Sequence, residues 1–282
     1  MDALEDSRHP LAAFGMAGPG VVEQRRRMAR NYNLHLLTLA QVAILLRVDG
    51  SWPGTITLSA GWSRARARPW NQSIPDPMVR VDRGGRDFLE SVVDALYDLG
   101  AMAVYSPALF PGSTRLWRRS GFDDHATLDM MERSLLGDAA STTEIKVRAE
   151  PDPNWEMVLA VDQAAFEGFW LMSRDGLAEA HETNRVAVAL TVSAPRGLAG
   201  YAIVGSQWGT AYLHRIAVHP EETGRGVGTA LLHSAIAWST RTGARTMVLN
   251  VRPENTRAKR LYGHVGFTDT GTSLRVLRHG PR

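Results

Sequence analysis

Between Tyr212 and Val218, Tyr212, His214, Ile216 and Val218 alternate with Leu213, Arg215 and Ala217, the period of a strand with two usable faces. Three glycines follow within E-T-G-R-G-V-G-T, and apolar residues then return at helical spacing over 227–242. The pattern predicts strand, glycine turn and helix in direct succession. A second apolar strand, Thr246 to Val251, and a helix opening at Asn255 come next. Upstream lie a strand at 144–149 and a pair of helices within 154–184, so the order after residue 143 reads βααβββαβαβ. Farther toward the N-terminus the patterning is weaker. Residues 1–32 read as a flexible arm, apolar runs occupy Leu34–Leu39 and Val42–Val48, and a helix spans Asp87–Leu99. Ser63 to Pro77 reads as irregular, and 136–143 as a linker.

The turn suggests its chemistry. Gly224, Gly226 and Gly228 let a ligand approach the backbone, and the helix behind them presents unpaired N–H groups and a positive dipole end. Such a turn binds phosphate or pyrophosphate. No Lys follows the glycines, which argues against a nucleotide-hydrolysing P-loop. Position 229 is Thr, and no acidic residue stands at a strand end about 20 residues on, which argues against a dinucleotide site.

The next helix supplies more. The segment N-T-R-A-K-R-L-Y-G-H-V-G-F, Asn255 to Phe267, together with this turn resembles the GNAT superfamily of N-acetyltransferases. Its members carry an R/Q-x-x-G-x-G/A loop after one strand and an N-x-x-A-x-x-L-Y-x-x-x-G-F helix after the next. Asn255, Ala258, Leu261, Tyr262, Gly266 and Phe267 match, as do Gly226 and Gly228. Thr223 stands where the family usually has Arg or Gln, which removes a charge near the cofactor and leaves the backbone cradle intact.

The resemblance covers about 144–280 and implies an α/β (α+β) GNAT fold, a mixed central sheet flanked by helices. It implies acetyl-CoA as acyl-donor substrate, its pyrophosphate on Thr223, Gly224, Arg225, Gly226, Val227, Gly228 and Thr229. Its pantetheine would run beside Ile216, Ala217 and Val218, with the Val218 N–H at the acetyl carbonyl. Asn255 would touch the cofactor, cap its helix, or both. Tyr262 is the implied general acid, since a phenol near ~10 and a thiol near ~8.5 differ little enough for proton transfer. For the base, His214 is the first candidate, with Tyr212 and Glu221 behind it. Residues 154–184 would lid the acceptor site. Phe166, Phe169 and Trp170 suit a slot, and Glu167, Asp175, Glu179 and Glu182 suit a cation; the same spacing equally describes a buried face with solvated carboxylates.

The first half echoes the second. At an offset of 145 residues, Met102, Arg115, Leu116, Gly121 and Phe122 coincide with Met247, Arg260, Leu261, Gly266 and Phe267. Trp117 falls opposite Tyr262, and an indole N–H is no general acid. Where the second copy has its glycine turn the first has D-R-G-G-R-D, with Asp87 placed to cap the helix. Residues 33–135 therefore read as a smaller, degenerate GNAT-like module without catalysis, and 144–282 as the catalytic domain.

Composition narrows the classes further. The 282 residues, 44% of them hydrophobic, suffice for two domains. No uncharged apolar stretch reaches about 18 residues and the acidic N-terminus lacks a secretory pattern, so the expectation is a cytoplasmic protein without a membrane partner. The absence of cysteine excludes disulfides and thiolate catalysis. Net charge is only +3, and the clusters Arg25–Arg27 and Arg64, Arg66, Arg68 read as solvated surface more readily than as a nucleic-acid footprint. The function expected is acetyl transfer to a primary amine of a small molecule or a protein or peptide N-terminus. A non-catalytic acyl-CoA sensor and a nucleic-acid-associated protein are the alternatives, and oligomerisation is left open.

Overall fold

The computed structural model describes residues 45–137 and 144–281. Its first half runs β1 (Arg47–Asp49), β2 (Ile56–Ala60), β3 (Ser63–Pro69), β4 (Pro77–Arg83), α1 (Arg86–Asp98), β5 (Val104–Tyr105), α2 (Thr114–Arg119) and β6 (Asp123–Ser134). The second runs β7 (Arg148–Glu150), α3 (Trp155–Ala165), α4 (Arg174–Glu182), β8 (Val186–Ala194), β9 (Gly197–Gln207), β10 (Thr210–Val218), α5 (Val227–Arg241), β11 (Thr246–Val251), α6 (Thr256–His264) and β12 (Thr268–His279). That second series is the expected βααβββαβαβ.

The strands join in one mixed sheet, β1-β2-β3-β4-β5-β12-β6-β11-β10-β9-β8-β7. Its centre is an exchange. Strand β6, from the first half, pairs antiparallel with β11, while β12 pairs with both β6 and β5. Residues 43–282 accordingly form one compact unit.

Strand alternation sorts the core into layers. On β9, Ala202 and Val204 face α5 within a cluster that includes Leu231 and Leu232. Tyr201 and Ile203 face α3 and α4, packing with Val158, Val161 and Leu177. Each fully buried Leu contributes roughly 1.5–3 kcal/mol. Around α1 and α2 a third cluster gathers Phe88, Leu89, Val92, Trp117 and Phe122, and takes in Leu277 from β12. Among the described residues no helix is long and apolar enough to cross a membrane.

Four expectations need correction. Ser63–Pro77 is not irregular: β3 occupies Ser63–Pro69, with Ser63, Ala65 and Ala67 buried and Arg64 and Arg66 exposed. The inward residues are too small to give an apolar signal, although the period of two is perfect. The first strand after the linker is only Arg148–Glu150, since pairing with β8 begins at Arg148. Asp87 lies in the first turn of α1 but does not cap it; the N-cap is Gly85, with no side-chain hydrogen bond. Finally, β10 does not keep one face throughout, for a reason given below. The arm, Arg25–Arg27, Leu34–Leu39 and most of 136–143 fall outside the described residues.

Candidate active site

Two irregularities in β10 make the site. Its antiparallel register with β9 shifts between Leu213 and Arg215, so His214 is an extra, bulged residue. Before the bulge Leu213 packs toward α5; after it Ile216 and Val218 do, and Ala217 turns to α3 and α4. Parallel pairing with β11 ends at the same level, at Leu213–Leu249. Beyond it the β11-facing backbone of His214–Val218 has no strand partner among the described residues, and the sheet opens.

A cleft of about 1040 Å³ fills that opening. Ile216–Val218, Thr223, Gly224, Gly226–Thr229, Asn255, His214 and Tyr262 all line it. Arg225 does not; its guanidinium turns to Glu222 at 2.9 Å. Gly224 and Gly226 adopt φ of 80° and 81°, the left-handed region that an L side chain resists. A Cβ at Gly224 would meet nothing within 4 Å, so this face of the turn is open. Among the described residues the N–H groups of Gly224 to Thr229 find no acceptor, whereas that of Thr223 is spent on the Pro220 carbonyl at 3.3 Å. Asn255 caps α6, its Oδ1 accepting from Ala258 N at 3.0 Å.

Tyr262 is 6% exposed, and burial lifts its phenol to about 12 despite the opposing charge of Arg215. No described group hydrogen-bonds its hydroxyl, and Tyr262 is among the residues lining the cleft. His214 behaves differently. Burial, with His181 adding to it, lowers its pKa to about 4. The Asn184 amide donates to its Nε2, from a position made available by Gly205, where a Cβ would collide with the Asn184 side chain.

Residues 155–267 match the family model described as acetyltransferase (GNAT) family. That segment belongs to the GNAT family of acetyltransferases. It is 27% identical over 214 residues to a mycothiol acetyltransferase of Kineococcus radiotolerans, covering 71% of this chain and 69% of that protein. Among solved structures, a tandem GNAT protein from the clavulanic acid biosynthesis pathway superposes with a TM-score of 0.56, at 16% identity over 86% of each chain. A GCN5-related N-acetyltransferase from Kribbella flavida gives 0.52 at 12% identity, over 95% of this chain and 98% of that one. These two structures bear on the fold alone.

The α3–α4 side of the cleft rests on residues that the sequence reading missed. Asp162 on α3 has no exposed surface. It accepts from Tyr201 Oη at 2.6 Å, Arg215 Nε at 2.7 Å, Arg215 Nη2 at 3.0 Å and Met172 N at 3.1 Å. Arg215 also donates to the Trp170 carbonyl at 2.7 Å and lies 3.6 Å over the Phe166 ring. The bulge aims Arg215 at α3, so one carboxylate ties α3 to the strand lining the cleft. The available signal was a single acid amid the apolar run of α3, Val158, Leu159, Val161 and Ala165. Of the acidic residues that the sequence offered as a cation trap, only Glu179 lines the cleft.

Proposed function

We propose that the protein is an acetyl-CoA-dependent N-acetyltransferase whose acceptor, a primary amine of a small molecule or of a protein or peptide N-terminus, attacks the thioester directly. The observation that carries this reading is the opening between β10 and β11, which ends on the unpaired amides of Gly224 to Thr229. Those amides and the α5 dipole suit a pyrophosphate, and the open left-handed turn leaves it room. The β11-facing edge of Ile216–Val218, whose other edge pairs with β9, suits an extended amide-bearing chain, with Val218 N–H as oxyanion donor. When bound, acetyl-CoA supplies the activated acyl group.

Tyr262, neutral at any ordinary pH, donates to the departing sulfur. The burial that lifts its phenol also lifts a thiolate beside it, because either anion would sit in the same apolar surroundings. His214, at about 4 and engaged by Asn184, is a weak base toward an ammonium. The site therefore favours an amine that is already substantially neutral, as an α-amine near ~7.8 is and a lysine near ~10.4 is not. The likeness to a mycothiol acetyltransferase supports a small-molecule acceptor. In this reading 144–282 is the catalytic domain and 33–135 a degenerate GNAT-like partner.

Calorimetric titration with acetyl-CoA tests the proposal, followed by CoA release with added amines. Saturation near one equivalent supports it; no binding removes it.

A further inference from the structure

The lid turn between α3 and α4 is held by the first half of the chain. Asn71, 1% exposed in the β3–β4 connection, donates through Nδ2 to the carbonyls of Gly168 at 2.9 Å and Leu171 at 3.2 Å. Trp70 Nε1 donates to the Phe169 carbonyl at 2.5 Å. With Arg215 on the Trp170 carbonyl, four consecutive lid carbonyls are tied. The other end of Asn71 is occupied too, Oδ1 accepting from Ser73 N at 2.9 Å and Ile74 N at 2.8 Å. Only a carboxamide offers two donors and an acceptor in that arrangement. The Phe169 ring stacks on Trp70 at 4.2 Å and meets Tyr105 at 5.4 Å and His125 at 4.6 Å. All three partners belong to the first half.

The same stretch sets the charge of this wall. Glu179 on α4 is bound through both oxygens, by Arg68 Nε at 2.9 Å and Arg80 Nη1 at 3.3 Å. Asp82 backs Arg66 and Arg80 at 3.4 and 3.9 Å, and the exposed Glu254 lies 3.7 Å from Arg252. The charged residues lining the cleft, besides the Arg215 of the Asp162 pair, are thus Arg68, Arg80, Arg252, Arg257, Glu179 and Glu222, and Glu222 is held by Arg225 at 2.9 Å. Among the described residues, a cation entering there meets no uncommitted carboxylate.

We propose that Arg68, Trp70 and Asn71, with Arg80, make the first half the acceptor-specificity element of the second, selecting amines on neutral or anionic bodies against polycations. The proposal rests on the N-acetyltransferase reading. It makes Asn71 and Trp70 positioning residues, acting through the lid.

Asn71→Asp keeps the acceptor for Ser73 and Ile74 but sets a carboxylate oxygen against two carbonyls. Trp70→Phe keeps the stack and drops the N–H. In the full chain, amide exchange over 166–173 is expected to quicken about tenfold or more in Asn71→Asp and about threefold in Trp70→Phe, while 212–229 is unchanged. With glucosamine and alanine amide as probe acceptors, acceptor KM rises on the order of tenfold in Asn71→Asp while the acetyl-CoA Kd stays within about twofold. Wild type uses spermidine at least about tenfold less efficiently than alanine amide, and Arg80→Gln narrows that gap.

Unchanged exchange over 166–173 overturns the clamp, as does an acetyl-CoA Kd that weakens in step with acceptor KM. Equal use of spermidine overturns the selectivity. Failure of wild type to bind acetyl-CoA sinks the enzymatic reading and the specificity role with it, and exchange over 166–173 still decides whether the clamp exists.

Discussion

Asp162→Asn is the sharpest test of how the lid is held. Asparagine keeps the shape of a residue with no exposed surface and four hydrogen bonds, and removes its charge. The Arg215 side chain, 13% exposed, is left with the Trp170 carbonyl and the Phe166 ring. Removing one member of a buried ion pair costs about 3–5 kcal/mol, because the survivor stays buried without its counter-charge. The remaining carbonyl and ring offset part of this, so the lower end, about 3 kcal/mol, is expected. Arg215→Met should cost a similar amount by stranding the carboxylate against Tyr201, whose phenol burial already holds well above its usual range. Replacing both, as Asp162→Asn with Arg215→Met, removes both buried charges. The double variant should be less destabilised than the sum of the singles by about 2 kcal/mol or more. Urea denaturation followed by tryptophan fluorescence and circular dichroism measures each value, provided the m-value is constant. An Asp162→Asn loss below about 1 kcal/mol, or a strictly additive double variant, would refute the reasoning.

Tyr262→Phe should lower kcat about a hundredfold with the acetyl-CoA Kd unchanged; steady-state CoA release beside calorimetry separates the two, and an undiminished kcat removes the acid role. His214 takes a proton near 6.5 when unfolded but only near 4 when folded, so its contribution is full above 6.5 and is lost as pH falls through 4. The loss amounts to about 3 kcal/mol, and His214→Gln should flatten the stability profile between pH 6.5 and 4, measured by urea midpoints. Gly226→Ala places a Cβ at φ 81°, which should cost about 1–2 kcal/mol and weaken acetyl-CoA binding about tenfold by calorimetry.

The sequence makes the second half legible because there local signals and tertiary structure agree. The glycine turn, α5 and the Asn255 cap fall where the pattern puts them. The bulge at His214 was hidden, since a run of seven alternating residues contains nothing to show that a neighbouring strand skips one. Arg215, only one more position of that alternation in the sequence, is among the most committed side chains of the site. Strand β3 was missed for the opposite reason, with small inward residues supplying too little hydrophobicity to register. The β6–β12 exchange is a matter of partner choice, and either strand alone carries the same alternating signal wherever it pairs.

The two halves close their last helices alike and open their crossover helices differently, and the difference explains why one cleft forms beside Tyr262. Phe122 N donates to the Trp117 carbonyl at 3.1 Å and Phe267 N to the Tyr262 carbonyl at 3.0 Å. Gly121 and Gly266 sit at φ 83° and 87°, and each helix brings its ring edge-on to the phenylalanine that follows. The helix entrances diverge. A Cβ at Gly84 would come within 2.3 Å of the Phe88 ring, so the turn before α1 is plugged by the helix it introduces, whereas the turn at Gly224 is open. Strands β4 and β5 share the single pair Met78–Tyr105, and the Tyr105 ring is covered by Trp70, His125 and the lid's own Phe169. A phosphate-bearing ligand has no entry at a filled turn, and a lid needs a fixed surface to close against. Filling the first turn with Phe88 and the strand ends with aromatic rings removes one capacity and supplies the other, and this supports reading the first half as the wall against which the second does its chemistry.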